Sequence, residues 1–290
     1  MVSLQLEKKE NQVNSTSMIT AQNVVAGYGD RIVWRDANFA VSRGQFVAVI
    51  GPNGAGKTTL FRLLLGLQHS ISGNLTVFGV HPKRGNPKIG YVPQKHYTDE
   101  ETNVESLELV RLAISGSHWG FNRSGGNDRK IALDTLEAVG ASDLAHRSLS
   151  DLSGGELQRI FLAEALVGNP EVLLLDEPLS SLDIRRSREL VQLINGIVRS
   201  RGVTAFLVAH DINPLLPFLD NVIYIANGKV AVGTPEEVLN SECLSSLYGV
   251  HVEVIRDSKG NVAIIGSGTE KDADFVFGNR CVSCNEGEKK

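Results

Sequence analysis

Two hydrophobic patterns alternate along this chain. Short, almost unbroken apolar runs stand at Phe46-Val47-Ala48-Val49-Ile50, Val172-Leu173-Leu174-Leu175 and Val203-Thr204-Ala205-Phe206-Leu207-Val208. Runs this short, bounded by turn residues, predict parallel strands buried on both faces. Between them, apolar positions recur at helical spacing: Leu107, Val110 and Leu112; Ile131, Leu133 and Leu136; Ile160, Phe161, Ala165 and Leu166. Ser181-Leu182-Asp183 opens a further helix that runs to about Ser200. The alternation predicts an α/β fold with a mostly parallel central sheet. Ile19 to Val41 reads as two strands around Gly27-Tyr28-Gly29-Asp30, an N-terminal antiparallel β subdomain. Residues of about 95–168 read as an inserted α-helical subdomain, with a loop between its first two helices. Val222 to Ala226, the turn Asn227-Gly228 and Lys229 to Val232 form a hairpin, and a helix follows Thr234-Pro235. These segments delimit a main domain over 18–240, an extension over 241–266 with a helix and a terminal hairpin, a polar N-terminus over 1–17 that is expected to be flexible, and a polar tail over 267–290 that is expected to be disordered.

Chemistry gathers where the apolar runs end. Phe46–Ile50 leads into Gly51-Pro52-Asn53-Gly54-Ala55-Gly56-Lys57-Thr58-Thr59, the pattern G-x-x-x-x-G-K-S/T between a strand and a helix. Its glycines let successive N–H groups turn inward as an anion nest, and the helix adds its positive dipole end. Lys57 would reach the terminal phosphates of a nucleotide, and the Thr58 hydroxyl would ligate Mg²⁺. Asp176 and Glu177 follow Leu175, where open α/β sheets hold their ligands. Asp176 would hold Mg²⁺ through its water shell, and Glu177 would activate the attacking water. His210 ends a third buried strand, and Gln94 lies just beyond the short strand Ile89 to Val92, which Pro93 stops. Ser153-Gly154-Gly155-Glu156 has two readings: a capping box that starts a helix, or bare N–H groups that a phosphate approaches. Tyr28 likewise covers a strand end or stacks on a base; taken alone, the former is the stronger reading.

Composition narrows the setting. The 290 residues carry 29 Lys+Arg against 33 Asp+Glu, a net charge of −4 that gives no hint of a nucleic-acid partner. No apolar run is long enough for a membrane span, and the start of the chain lacks the order of a secretion signal. A membrane, if one matters, is reached through a partner. Cys243, Cys281 and Cys284 are too few for a disulfide scaffold; Cys281-Val282-Ser283-Cys284 reads as a reactive but incidental thiol pair, with a metal or redox role as the minor reading.

Taken together, these motifs resemble the ATP-binding subunit of an ABC transporter over roughly residues 18 to 240. Tyr28 matches the base-stacking aromatic, Gly51 to Thr59 the Walker A motif, and Gln94 the Q-loop. Leu152 to Glu156 matches the LSGGQ-type signature, with Glu156 where the family often has Gln. Leu173 to Glu177 matches Walker B, Ser181 to Asp183 the D-loop, and His210 the switch histidine. The resemblance implies a P-loop NTPase core and hydrolysis of ATP with Mg²⁺ held by Thr58, Gln94 and Asp176. It also implies a head-to-tail dimer in which Ser153, Gly154, Gly155, Glu156 and Asp183 of one copy complete the nucleotide site of the other. An integral membrane permease, docking near the Q-loop and the helical insertion, and indirectly an extracytoplasmic substrate-binding protein would be the partners. The protein would then sit on the cytoplasmic face of the membrane. Leu247 to Val254 looks like the zinc and manganese importer branch, with iron–siderophore and cobalamin importers the nearest rivals. Exporter ATPases and soluble ABC ATPases are the more distant alternatives. His81, His96 and His118 are expected to be surface or structural residues rather than ligands of a transported ion.

Overall fold

A computed structural model describes residues 17–94, 104–115 and 125–266. Most of the predicted loop between the first two helices of the insertion, both chain ends, His96, His118, Cys281 and Cys284 lie outside the described residues. The chain begins with β1 (Ser17–Tyr28) and β2 (Arg31–Ser42), an antiparallel pair, then β3 (Phe46–Ile50) and α1 (Lys57–Leu64). β4 (Ser72–Val77) returns to the free side of β1 and completes a three-stranded antiparallel sheet. β5 (Ile89–Val92) is followed by α2 (Ser106–Ser115), α3 (Gly125–Ala138) and α4 (Gly154–Leu166). β6 (Val172–Asp176), α5 (Ile184–Arg201), β7 (Thr204–Val208), β8 (Asn221–Ala226) and β9 (Lys229–Gly233) complete the α/β part. Two short helices, α6 (Pro235–Val238) and α7 (Ser241–Tyr248), precede the hairpin β10 (Val252–Arg256) and β11 (Val262–Gly266).

The main sheet runs β5-β6-β7-β3-β8-β9, parallel except for β9. The β8–β9 turn places Asn227 at φ 46° and Gly228 at φ 73°, the left-handed pair that a two-residue hairpin needs. β3, β6 and β7 are buried along their whole length, which explains why their sequences run apolar without alternation. Each strand still divides its side chains between two cores. Phe46, Ala48 and Ile50 join α2–α5 and the C-terminal elements, whereas Val47 and Val49 join α1 and the three-stranded sheet. Leu60, Phe61, Leu63 and Leu64 of α1 are all at most 1% exposed, and burial at this level contributes about 2 kcal/mol per large side chain.

Helix ends follow local chemistry. Asp183 caps α5 by accepting from the Arg186 N–H at 2.8 Å, and Gly202 at φ 64° ends it. Asn240 caps α7 through the Cys243 N–H at 2.9 Å, and Thr234 with Pro235 starts α6. α4 packs so tightly on β5 that a Cβ at Gly90 would lie 2.3 Å from the Ala165 carbonyl oxygen. This sheet arrangement delivers the C-terminal ends of four adjacent strands, β5, β6, β7 and β3, to one edge.

Candidate functional site

The glycine loop leaves the end of β3 at that edge. Gly54 and Gly56 have φ of 77° and 105°, so the backbone curls in a way a side chain would oppose. A Cβ on Gly56 would lie 2.4 Å from Val33 Cγ1, while the Trp34 indole N–H donates to the Gly56 carbonyl at 3.3 Å. Gly56 is also the N-cap of α1 and offers no side-chain acceptor, so the N–H groups of the first turn stay available to an anion. Lys57 is 6% exposed, and its ammonium donates to the carbonyls of Gly51 (2.8 Å) and Pro52 (3.1 Å). Burial lowers the Lys57 pKa, and the nearby Glu177 and Asp176 charges oppose that shift. Asn53, Gly54 and Thr58 are exposed at the mouth, Pro52 and Ala55 half-buried, and Gly51 and Thr59 buried. The Thr59 hydroxyl lies 3.2 Å from that of Tyr28, which also accepts from Arg62 Nη1 at 3.1 Å. Tyr28 thus anchors to the loop helix, and the residue, 46% exposed, borders a cleft of about 650 Å³ with Arg62 and Ile71.

The neighbouring strand ends supply the acids. Asp176, the last residue of β6, is 3% exposed. Burial and then repulsion from Glu177 raise its pKa, against Lys57 and a hydrogen bond from Tyr91. Tyr91, on β5, has its own hydroxyl pushed up to about 12, chiefly by burial and by the Asp176 charge. Glu177 leaves the strand at φ 53°, a left-handed conformation that is costly for a residue with a side chain. That turn sets its carboxylate between two other strand ends: Gln94 Nε2 donates to Glu177 Oε2 at 2.6 Å, and His210 Nε2 lies 2.9 Å from the same oxygen.

Ser153 to Glu156 forms a separate cluster. Ser153 is the N-cap of α4, and its N–H donates to Glu156 Oε2 at 2.7 Å. Hydrogen bonds from Ser153, with help from Arg147 at 3.1 Å, hold the Glu156 carboxyl below its usual range. The capping-box reading is therefore realised, and Glu156 serves the helix start. Gly154 remains open, since the closest atom a Cβ there would meet is Ser181 Oγ at 3.7 Å, whereas one on Gly155 would press on Arg186 Cδ at 3.3 Å. Ser153 and Gly155 share a cavity of about 240 Å³ with Leu182 and Arg186, next to the α5 cap Asp183. The structure thus joins Gly51–Thr59, Tyr28, Gln94, Asp176, Glu177 and His210 in one group. Ser153–Glu156 lies with the Ser181–Asp183 turn in another. His81 is exposed.

Three residues at the first group carried no motif in the sequence. Trp34, Arg62 and Tyr91 are joined to Gly56, Tyr28 and Asp176 respectively, each from a different element. An aromatic inside a β-strand pattern signals only packing, so spacing could not have singled out Trp34 or Tyr91.

Among the described residues, no helix is long and apolar enough to cross a membrane. The sequence pattern of the family described as "ABC transporter" matches residues 34–180. The manganese transport system ATP-binding protein MntB of Bacillus subtilis (strain 168) is 33% identical over 82% of this chain and 95% of its own length. The zinc import ATP-binding protein ZnuC of Pseudomonas entomophila (strain L48) is 34% identical over 81% of this chain and 85% of its own. Among solved structures, an ATP-binding cassette captured as a dimer in a post-hydrolysis state with ADP and Pi superposes with TM-score 0.64. It is 28% identical and covers 75% of this chain and 98% of that one. With the glycine loop and its acids inside or beside the matched stretch, and the Bacillus protein matched along nearly all of its length, the chain belongs to the ABC transporter family.

Proposed function

We propose that this chain is the ATP-hydrolysing motor of an importer for a divalent metal ion, zinc or manganese, and that it works as a head-to-tail dimer beneath a membrane permease. The observation that carries the hydrolytic reading is the convergence of Gln94 and His210 on one oxygen of Glu177, beside the buried Lys57 and Asp176. Resemblance to MntB and ZnuC over four-fifths of the chain supports the metal.

The glycine loop and the first turn of α1 bind the β- and γ-phosphates through backbone N–H groups, and Lys57 turns its ammonium from the loop carbonyls to the phosphate oxygens. Tyr28 stacks on the base, held in place through Thr59 and Arg62. Thr58, Gln94 and Asp176 supply hydroxyl, amide and carboxylate oxygens, a hard donor set that fits Mg²⁺. Asp176 suits this role because burial disfavours its charge until a cation is near. Bound Mg²⁺ would neutralise charge developing on the phosphate oxygens. Glu177 accepts a proton from the attacking water while Gln94 and His210 hold its carboxylate in place. Ser153, Gly154 and Gly155 of the second copy donate N–H and hydroxyl groups to the γ-phosphate, with Asp183 at the same junction. Glu156 shapes that turn from within its own chain. The permease and, beyond the membrane, a substrate-binding protein complete the assembly, which sets this chain on the cytoplasmic face.

Glu177→Gln tests the chemistry. The variant should bind ATP normally, accumulate as an ATP-bound dimer on gel filtration, and lose hydrolysis by about 100-fold or more. Near-normal turnover removes Glu177 from its role as base. Uptake of radiolabelled manganese, zinc and ferric siderophore by cells lacking this chain tests the cargo. Loss of siderophore uptake with both metals unaffected would overturn the metal assignment.

A further inference from the structure

The terminal hairpin is bound to the catalytic edge, and one side chain makes the connection. Asn213 lies three residues beyond His210 and pairs with β11 through both ends of its amide. Its Nδ2 donates to the Val262 carbonyl at 3.1 Å, and the Val262 N–H donates to its Oδ1 at 2.7 Å. The side chain thus imitates a paired strand residue, a two-way bond that asparagine can make and aspartate, lacking the donor, cannot. The Asn213 N–H is itself tied to Asp211 Oδ1 at 2.9 Å, so the turn between His210 and the amide is closed from within.

The hairpin is a firm anchor. Val252, Val262 and Ile264 are at most 3% exposed and belong to the same core as Leu215, Leu244 and Tyr248. His210, by contrast, is exposed, just past the last residue of β7. Between the two, Ile212 is 5% exposed in that core and its carbonyl accepts from the Leu215 N–H at 2.8 Å, and the amide clamp adds a direct tie to the hairpin. Glu177 and His210 line a cavity of about 750 Å³ together with Ile255, Asp257 and Ala263 of the hairpin. Asn213 and Val262 line the same cavity, so the amide clamp stands between the His210 segment and the hairpin at its edge.

We propose that Asn213 is a positioning residue for hydrolysis: its amide, locked to Val262 of the C-terminal hairpin, holds the His210 segment at the distance where the imidazole meets Glu177. The proposal rests on the roles given above to Glu177 and His210. It makes residues 250–266, which lie beyond the ATPase motifs, part of the catalytic geometry. Misplacement of a catalytic group by about 1 Å costs up to about 100-fold in rate, and partial release of a short segment should cost less.

The test uses the full-length chain and two variants that break the clamp from opposite sides. Asn213→Ala removes both hydrogen bonds, and Val262→Pro removes the N–H donor at the first residue of a strand, where proline is tolerated. Both should lower the kcat for ATP about tenfold and leave KM within about twofold, because the glycine loop is untouched. ATP affinity, measured by calorimetry on each change combined with Glu177→Gln, should stay within about twofold of that background. Wild-type kcat in either folded variant overturns the proposal, as does a rise in KM or a loss of ATP affinity that matches the fall in kcat. A melting curve shows which variants are folded, and the result is read from whichever of the two is. Retained hydrolysis in Glu177→Gln alone would instead overturn the underlying assignment of the base, whatever the Asn213 variants do.

Discussion

Replacing Asp176 by asparagine should stabilise this protein while disabling it. The carboxylate is 3% exposed at the end of β6. Burial and the adjacent Glu177 charge disfavour its ionised form, and the Lys57 ammonium and Tyr91 hydroxyl recover only part of that cost, since the net effect is a raised pKa. Asparagine keeps the shape and one oxygen that can accept from Tyr91, and it removes the charge. The gain should be about 1 kcal/mol, typical of relieving an electrostatically strained functional residue. For a chain of this size that corresponds to a rise in Tm of about 2–4 °C. The pH dependence has a definite sign. A raised carboxyl pKa means that the folded state holds its proton over a range where the unfolded state has lost it, so wild-type stability falls as pH rises through that range. The Tm gap between variant and wild type should therefore open above the ordinary aspartate value of 3.8 and level off above the raised folded pKa. Scanning calorimetry of both proteins in EDTA, without nucleotide, measures the gap. With Mg²⁺ and ATP present, the variant should hydrolyse about 100-fold more slowly or worse. A lower Tm for the variant at neutral pH, or a gap that ignores pH, would refute the electrostatic account.

Lys57→Ala should weaken ATP binding by about 10- to 100-fold in calorimetry, because a charge-assisted contact is lost and the loop carbonyls it spans are left unpaired. Ser153→Arg should abolish hydrolysis while ATP affinity of the monomer stays within about twofold, since Ser153 belongs to a cluster separate from the glycine loop. A comparable loss of monomer affinity would place the serine in its own chain's site. In Gly51→Ala the new Cβ would stand 2.0 Å from the Ile225 carbonyl oxygen, so the loop must shift away from β8; a fall in Tm of about 4 °C or more is expected, together with weaker nucleotide binding.

Much of this architecture was legible because its strongest signals are local. Apolar runs fully buried on both faces, such as Val172–Leu175, announce themselves without a partner in view. The Asn227-Gly228 turn and the Thr234-Pro235 helix start are likewise fixed by residues that suit one conformation. The glycine loop is legible for the same reason. What sequence could not supply is contact across strands. Nothing near Tyr91 in the chain points to Asp176, because strand order sets β5 beside β6, and nothing near Asn213 points to Val262, because the terminal hairpin folds back onto the loop after β7. The capping box at Ser153–Glu156 was legible from its spacing, but the packing of Gly154 and Gly155 beside Ser181 and Arg186 was not, because it is set by the distant turn before α5.

The division of β3 between two cores has a consequence for how this chain can vary. Val47 and Val49 answer to the β-rich layer and α1, while Ala48 and Ile50 answer to the helical layer and the C-terminal hairpin. Adjacent codons therefore carry unrelated selection pressures, and substitutions should covary at every second position rather than between neighbours. The layer of helices can diverge while the alternate residues of the same strand keep the phosphate loop as it is.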